Sequence, residues 1–192
     1  MDRPDGSGRI LQTSGPPTFF SEQDRQAWLA AGSPDLRDNM DETYGPGKLH
    51  FLDLANLPTD PSELLSMIEA RKIEGGPPGD WETFTIIGDL LRETYAPPAV
   101  RSALYQAAAK IPGAKYDGAV KDAAGRPGLA VAYTHAGLRH ELIFDPNTSQ
   151  LLGEQYVVVD PTEAELHAAP GTVVGYAVYL ASGVVRSVSD RT

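Results

Sequence analysis

Residues 100–121 read VRSALYQAAAKIPGAKYDGAVK, and the spacing of the apolar side chains changes within this stretch. Before Pro112 the apolar residues recur every three or four positions, as at Val100, Leu104 and Ile111, which is typical of the buried face of a helix. After Gly113 they recur at alternate positions, as in a strand that buries one face. The sequence therefore predicts helices before Gly113 and strands after it.

Three helices are predicted upstream of this change. Residues 60–63, DPSE, combine a capping Asp, a Pro at the first helical position and a Glu three residues after the cap. Asp80 can cap a second helix that runs to Tyr95, and Pro97-Pro98 fits the first turn of a third. We expect their buried stripes to contain Leu64, Leu65 and Ile68, then Trp81, Phe84, Ile87, Leu90 and Leu91, and finally Val100, Leu104, Ala107, Ala108 and Ile111.

Downstream, short alternating runs are separated by turn-forming residues about every ten positions. Because these connections are short enough for hairpins, neighbouring strands should be antiparallel. We predict an α+β fold in which the three central helices pack on a C-terminal antiparallel β-meander, within a single domain over residues 1–192. Residues 1–18 should be loosely ordered, 19–112 mainly helical and 113–192 mainly β. The predicted strands cover 114–121, 129–134, 139–144, 151–159 and 172–188.

The N-terminal third carries weaker patterns. We expect at most a short strand at 9–12 and a helix capped by Ser21 that ends near Gly32. Residues 33–58 are predicted to form a loop, because their acidic and glycine-proline content interrupts any periodicity, and then a brief apolar anchor at Leu49, Phe51, Leu52 and Leu54.

Composition excludes several classes of function. The chain has 192 residues, 20.6 kDa, and a formal net charge of −10, so it should not bind nucleic acid through a general attraction to phosphate. It has no cysteine, which removes disulfides, thiol nucleophiles and thiolate zinc sites. No apolar run approaches the ~20 residues that span a bilayer.

Searches for metal and catalytic motifs identify no site. The four histidines, His50, His135, His140 and His167, lack the spacing of a zinc hydrolase, and we expect surface positions for His135 and His140. The acidic residues at 35, 38, 41 and 42 lack the alternate spacing of a calcium loop, so a solvated loop is expected. Nucleophile-elbow, phosphate-loop and dinucleotide patterns are also absent, and we predict no cofactor, metal or catalytic residue.

Several segments in order resemble a family of actinobacterial proteins of uncharacterised function. Its members have a short cytoplasmic region, one transmembrane helix and an extracytoplasmic domain, and their genes often lie beside those of extracytoplasmic-function sigma factors. The matching segments are DGSGR (5–9), FSEQDRQAW (20–28), LPTDP (57–61), IGDLLRET (87–94), PP (97–98), RSALY (101–105), IPG (111–113), DAAGRPG (122–128) and LIFDP (142–146).

This resemblance implies an extracytoplasmic location and a membrane-anchored parent protein. It implies no catalytic residues. Family members carry the membrane helix and one or two strands before DGSGR, whereas this chain begins almost at that segment. We therefore expect a trimmed domain or a short variant that is soluble as written.

Helices on an antiparallel sheet are also similar to the half-barrel of periplasmic lipoprotein carriers and of related sigma-regulatory sensors. This fold-level analogy suggests a ligand site on a concave apolar sheet face beneath the helices. Leu142, Phe144, Tyr156 and Val158 are its candidate wall residues, and a shift of strand parity would place their neighbours there instead.

Three hypotheses remain. The first is a non-enzymatic, extracytoplasmic sensing or protein-interaction domain linked to sigma-factor regulation, with an envelope or sigma-regulatory protein as its partner. The alternative is a carrier-like domain that binds a lipophilic ligand or a lipoprotein. The third is an enzyme whose site assembles from residues distant in sequence, which spacing alone does not exclude.

Overall fold

The computed structural model describes residues 8–19, 21–35, 39–44, 57–70 and 79–181. These ranges contain four helices, α1 (Glu22–Ala30), α2 (Pro61–Glu69), α3 (Gly79–Glu93) and α4 (Pro98–Ala108). They also contain seven strands, β1 (Gly8–Gln12), β2 (Met40–Tyr44), β3 (Lys115–Lys121), β4 (Pro127–His135), β5 (Leu138–Phe144), β6 (Leu151–Val158) and β7 (Val173–Val178).

Strands β3 to β7 form one antiparallel sheet in sequential order. The predicted α+β fold with a C-terminal antiparallel meander is therefore confirmed. The change of periodicity at Gly113 marks the boundary, since α4 ends at Ala108 and β3 starts at Lys115. Residues 182–188 of the last predicted strand and the predicted apolar anchor at 49–54 lie outside the described residues.

The predicted caps at Asp60 and Ser21 form because they satisfy backbone N–H groups that a helix leaves unpaired at its start. The predicted cap at Asp80 is wrong, since α3 begins at Gly79 and Asp80 lies in its first turn. The Asp60 carboxylate accepts hydrogen bonds from the N–H groups of Ser62 and Glu63, both at 2.9 Å. The Ser21 hydroxyl accepts from the N–H of Asp24 at 3.1 Å and so begins α1.

The prediction of a loop over 33–58 is wrong at Met40–Tyr44. These residues form β2, which pairs antiparallel with β1 in a separate two-stranded sheet. The pairing is reinforced across the strands by Arg9, whose guanidinium makes two hydrogen bonds to Asp41 at 2.7 and 2.8 Å. The sequence MDETY does not alternate in polarity, so the strand depends on its distant partner.

The core lies between the helices and one face of the large sheet. Helix α4 contacts both α2 and α3, and α3 also contacts β4. The core side chains come from all of these elements, and the largest fully buried ones are Leu64, Ile68, Phe84, Ile87, Leu104, Val131, Leu142 and Phe144. Within the described ranges, no helix has the length and apolar composition required to cross a bilayer.

Candidate functional site

A buried carboxylate lies on the face of the sheet that meets the helices. Glu154, in β6, pairs across the sheet with Leu142 of β5 and is only 6% exposed. A charged carboxylate in such an apolar position is costly unless several donors surround it. The structure supplies three donor side chains.

The donors come from three separate elements. Nη1 of Arg92, in the last turn of α3, lies 2.8 Å from both carboxylate oxygens of Glu154. Nε2 of His140, in β5, lies 2.9 Å from Oε2, and the Tyr179 hydroxyl, after β7, donates to Oε1 at 2.5 Å. We name Arg92, His140, Glu154 and Tyr179 the Glu154 cluster. It ties α3 to β5, β6 and the segment after β7.

The cluster fixes the ionisation of Glu154 and Tyr179. Burial alone raises the pKa of Glu154, but hydrogen bonds from His140 and Tyr179 and the charge of Arg92 outweigh it and lower the pKa to about 2. Burial and the hydrogen bond to Glu154 raise the pKa of the Tyr179 hydroxyl. Arg92 also pairs with Asp89, whose pKa is raised because burial outweighs the charge and hydrogen bond of Arg92. Near neutral pH, Glu154 is therefore ionised and Tyr179 protonated.

His140 is placed by aromatic side chains as well as by Glu154. Its ring stacks on Tyr156 at a centroid distance of 4.2 Å and meets the rings of Trp81 and Phe84 edge-on at 5.8 and 5.5 Å. An ionised carboxylate can only accept, so Nε2 carries a proton, while the buried Nδ1 has no hydrogen-bond partner among the described residues.

The expected surface position of His140 is wrong, because the residue is only 3% exposed. Strand parity was the signal that could have found this, since His140 alternates with Leu142 and Phe144 and must share their face. His135, by contrast, is exposed as expected and stacks on Trp81 at 5.3 Å. His50 and Asp38 lie outside the described residues.

Next to the Glu154 cluster, a cleft of about 320 Å³ opens between the helical layer and the edge of the sheet. It lies among the end of α3, the connection to α4, the start of β6 and the segment that follows β7. Three arginines line it, Arg92, Arg101 and Arg126, and the residues that line it include no carboxylate. We name this space the arginine cleft. Its other lining residues are Leu91, Thr94, Tyr95, Ala96, Gln150, Leu151, Leu152, Tyr179, Leu180 and Ala181.

Arg126 is held in the cleft wall by a turn in the DAAGRPG segment. The buried Asp122 accepts from the backbone N–H of Ala124 and of Arg126 and from Nε of Arg126 at 2.6 Å. The guanidinium also donates to the backbone carbonyls of Tyr179 at 3.0 Å and Leu152 at 2.5 Å. The turn between β3 and β4 is thereby fastened to β6 and to the end of β7.

The four predicted wall residues share the helix-facing side of the sheet, as their common parity required. Leu142, Phe144 and Val158 are each no more than 1% exposed, and Tyr156 is half-buried. Leu142 and Phe144 belong to the core that packs against the helices. None of the four lines the arginine cleft.

The acidic and histidine side chains form no metal-binding group within the described ranges, since no three or more of them are arranged to hold an ion. The tyrosines near the end of the described chain differ in their surroundings, since Tyr179 joins the Glu154 cluster and Tyr176 is 67% exposed. The sequence did not indicate that Arg92 and Arg101 line a cleft, because no local pattern marks them as neighbours of β6.

Comparisons of the chain with models of protein families, with curated proteins and with solved structures found no match.

Proposed function

We propose that this chain is a non-enzymatic, extracytoplasmic sensing domain linked to sigma-factor regulation, and that the arginine cleft receives its ligand. The location and the regulatory link rest on the sequence resemblance described above. The observation that carries the proposal is the position of the cleft, which shares Arg92 and Tyr179 with the Glu154 cluster.

Because the cleft and the Glu154 cluster share these two residues, a ligand in the cleft can affect elements outside it. Arg92 is fixed to α3, Tyr179 follows β7, and both bond to Glu154 in β6. A ligand that shifts either side chain must also change how α3 and the end of β7 are held against the sheet. A binding event in the cleft therefore has a physical means of altering the surface that a partner protein contacts.

The ionisation of the Glu154 cluster supports a non-catalytic role. A general base works best when its pKa lies near the working pH. Glu154, with a pKa of about 2, is a weak base, and the raised pKa of Tyr179 makes its hydroxyl a weak acid at neutral pH. Their hydrogen bonds are made with each other and with Arg92, an arrangement that stabilises the fold.

The packing gives less support to the carrier-like alternative. Its candidate wall residues Leu142 and Phe144 face helices that already fill the space against them. The Phe144 ring meets the Tyr105 ring at a centroid distance of 4.6 Å, and a Cβ added at Gly88 of α3 would already touch the Leu142 side chain at 3.6 Å. A lipid chain on this face would have to displace α3 and α4.

The proposal predicts that filling the cleft abolishes signalling without unfolding the protein. Gln150 has an exposed side chain and lines the cleft, so Gln150→Trp should place an indole in the cleft. The matched control is Gln106→Trp, at an exposed position of α4 that does not line the cleft. Each variant replaces the gene in the native host, and transcription of the regulon of the neighbouring sigma factor is measured under envelope stress.

We expect Gln150→Trp to behave like a deletion of the gene and Gln106→Trp to behave like the wild type. Thermal unfolding of the two purified proteins checks that both remain folded. A regulon that responds normally in the deletion strain contradicts the sensing function. A normal response in Gln150→Trp alone shows that the cleft is not the ligand site.

A further inference from the structure

Arg101 differs from the other two arginines of the cleft because no carboxylate in the described part of the chain pairs with it. Arg92 is paired with Glu154 and Asp89, and Arg126 with Asp122. Arg101 has no carboxylate partner among the described residues. Its Nη1 donates to the backbone carbonyl of Ala96 at 2.8 Å, and Nη2 reaches the carbonyl of Thr148 only at 3.5 Å.

The Arg101 guanidinium also retains a free donor. Its Nε is buried and has no hydrogen-bond partner among the described residues. A buried N–H of a charged group that lacks a hydrogen-bond partner is unfavourable. Arg101 itself lines the cleft, so a ligand there meets a guanidinium whose Nη groups are held by main-chain carbonyls and not by a carboxylate of the described residues.

The start of α4 beside Arg101 supplies no compensating negative charge. The first turn of α4 contains no acidic residue, and its cap position, Pro97, offers no side-chain acceptor. The cleft thus brings three guanidinium groups together in a chain whose formal net charge is −10. Because the charges of Arg92 and Arg126 are balanced by their carboxylate partners, the positive charge left to attract an anion in the cleft is that of Arg101.

We propose that the arginine cleft binds a small molecule that carries an oxyanion group, and that Arg101 makes the direct contact with that group. A guanidinium presents a planar set of donors that matches the oxygens of a carboxylate or a phosphate. The volume of about 320 Å³ is at the small end for ligand sites and fits a small metabolite rather than a polymer. The inference rests on the proposed function for its biological role and specifies the class of ligand.

The test measures binding to the purified full chain by isothermal titration calorimetry at low ionic strength. Inorganic phosphate and citrate are the two probes, which separate a phosphate source from a carboxylate source, and sodium chloride at matched ionic strength is the reference. We expect saturable binding of at least one probe at a stoichiometry of one. Arg101→Ala should weaken that binding at least about tenfold, and Arg101→Gln should weaken it similarly while retaining a donor for the Ala96 carbonyl.

The matched control is Arg25→Ala, on the exposed helix α1. It removes the same charge at a position that does not line the cleft, so it separates a specific contact from a general change in net charge. Thermal unfolding checks that each variant is folded. Addition of the bound probe should raise the melting temperature of the wild type and of Arg25→Ala more than that of Arg101→Ala.

Absence of binding by both probes, or an equal loss in Arg25→Ala, overturns the inference. If neither probe binds but Gln150→Trp still abolishes signalling, the sensing function stands and the ligand class is wrong. If a probe binds through Arg101 while deletion of the gene leaves the regulon unchanged, the anion site stands and the proposed function fails.

Discussion

At the scale of single residues, the informative feature is a buried carboxylate whose oxygens accept hydrogen bonds from three other side chains. Glu154 receives hydrogen bonds from Arg92, His140 and Tyr179, which come from elements far apart in the chain. Removing one member of a buried charged cluster leaves a neighbouring group with one partner fewer. In a buried ion pair such a removal commonly costs about 3–5 kcal/mol of stability. The cluster is therefore a point at which a single substitution affects several elements.

The lowered pKa of Glu154 predicts how stability depends on pH. The folded-state pKa is about 2, against an ordinary value of 4.5. The ionised carboxylate therefore stabilises the fold fully above pH 4.5, and this contribution is lost as the pH falls toward 2. The difference of about 2.5 pH units corresponds to roughly 3 kcal/mol.

Glu154→Gln cannot titrate and should lose this dependence. We expect it to be less stable than the wild type by about 3–5 kcal/mol near neutral pH, with the gap narrowing as the pH falls below about 4.5. Urea denaturation over a series of pH values measures both curves, and Glu163→Gln, at an exposed position, is the control. Parallel curves for wild type and Glu154→Gln would show that the carboxylate is not held ionised.

At the scale of elements, the tight turn between β4 and β5 fastens this hairpin to the segment that follows β6. The β4–β5 hairpin has a two-residue turn, Ala136-Gly137, in which both residues have positive φ, 47° and 71°. This is the turn geometry that matches the twist of an antiparallel pair. The carbonyl of Gly137 also accepts from the N–H groups of Val159 and Asp160, at 2.9 and 3.0 Å. The hairpin is thereby fastened to the end of β6.

Gly137→Ala should destabilise the protein more than backbone strain alone explains. A Cβ at this position would collide with the carbonyl of Asp160 and lie 2.5 Å from the N of Ala164. The matched control is Gly125→Ala, because Gly125 also has positive φ, 81°, but open space around it. We expect Gly125→Ala to lower the free energy of unfolding by about 1 kcal/mol, and Gly137→Ala to lower it by at least about 2 kcal/mol more. Denaturant unfolding measures both losses. Equal losses would mean that the hairpin is not docked against residues 160–164.

At the scale of the whole molecule, one core joins the helical layer to the sheet. Leu142 in the centre of β5 is fully buried and faces α3 at Gly88, where an added Cβ would lie 3.6 Å from Cδ2 of Leu142, an ordinary contact distance. Phe144 in the same strand meets Tyr105 of α4. Because both layers bury their apolar faces against each other, they should unfold together.

Leu142→Ala should therefore lower the stability of the helical layer and of the sheet by the same amount. Removing a fully buried leucine side chain costs about 2–5 kcal/mol through lost burial and the cavity it leaves. Leu180→Ala, at a position 79% exposed, should stay within about 0.5 kcal/mol of the wild type. Far-UV circular dichroism and intrinsic fluorescence during urea unfolding should give coincident transitions for both variants. Separate transitions would show that the layers are independent.

The local pattern of the chain was sufficient to predict most of the fold. The cap at Asp60, the stripes of three helices and the alternation of the meander each depend on residues a few positions apart, so the sequence displays them directly. The register of β5 and β6 places Leu142, Phe144, Tyr156 and Val158 on one face, while their role as ligand-site walls stays a prediction. The strand at Met40–Tyr44 was missed because its stability comes from pairing with β1, about thirty positions earlier.

The candidate site depended on distances in space that no local pattern records. Arg92 and Glu154 are separated by 62 positions, and Tyr179 lies a further 25 positions along, yet all three meet at one carboxylate. A salt bridge or hydrogen bond has no periodicity, and its partners can lie anywhere in the chain. Folding had to bring α3, the sheet and the segment after β7 together before the Glu154 cluster and the arginine cleft could exist.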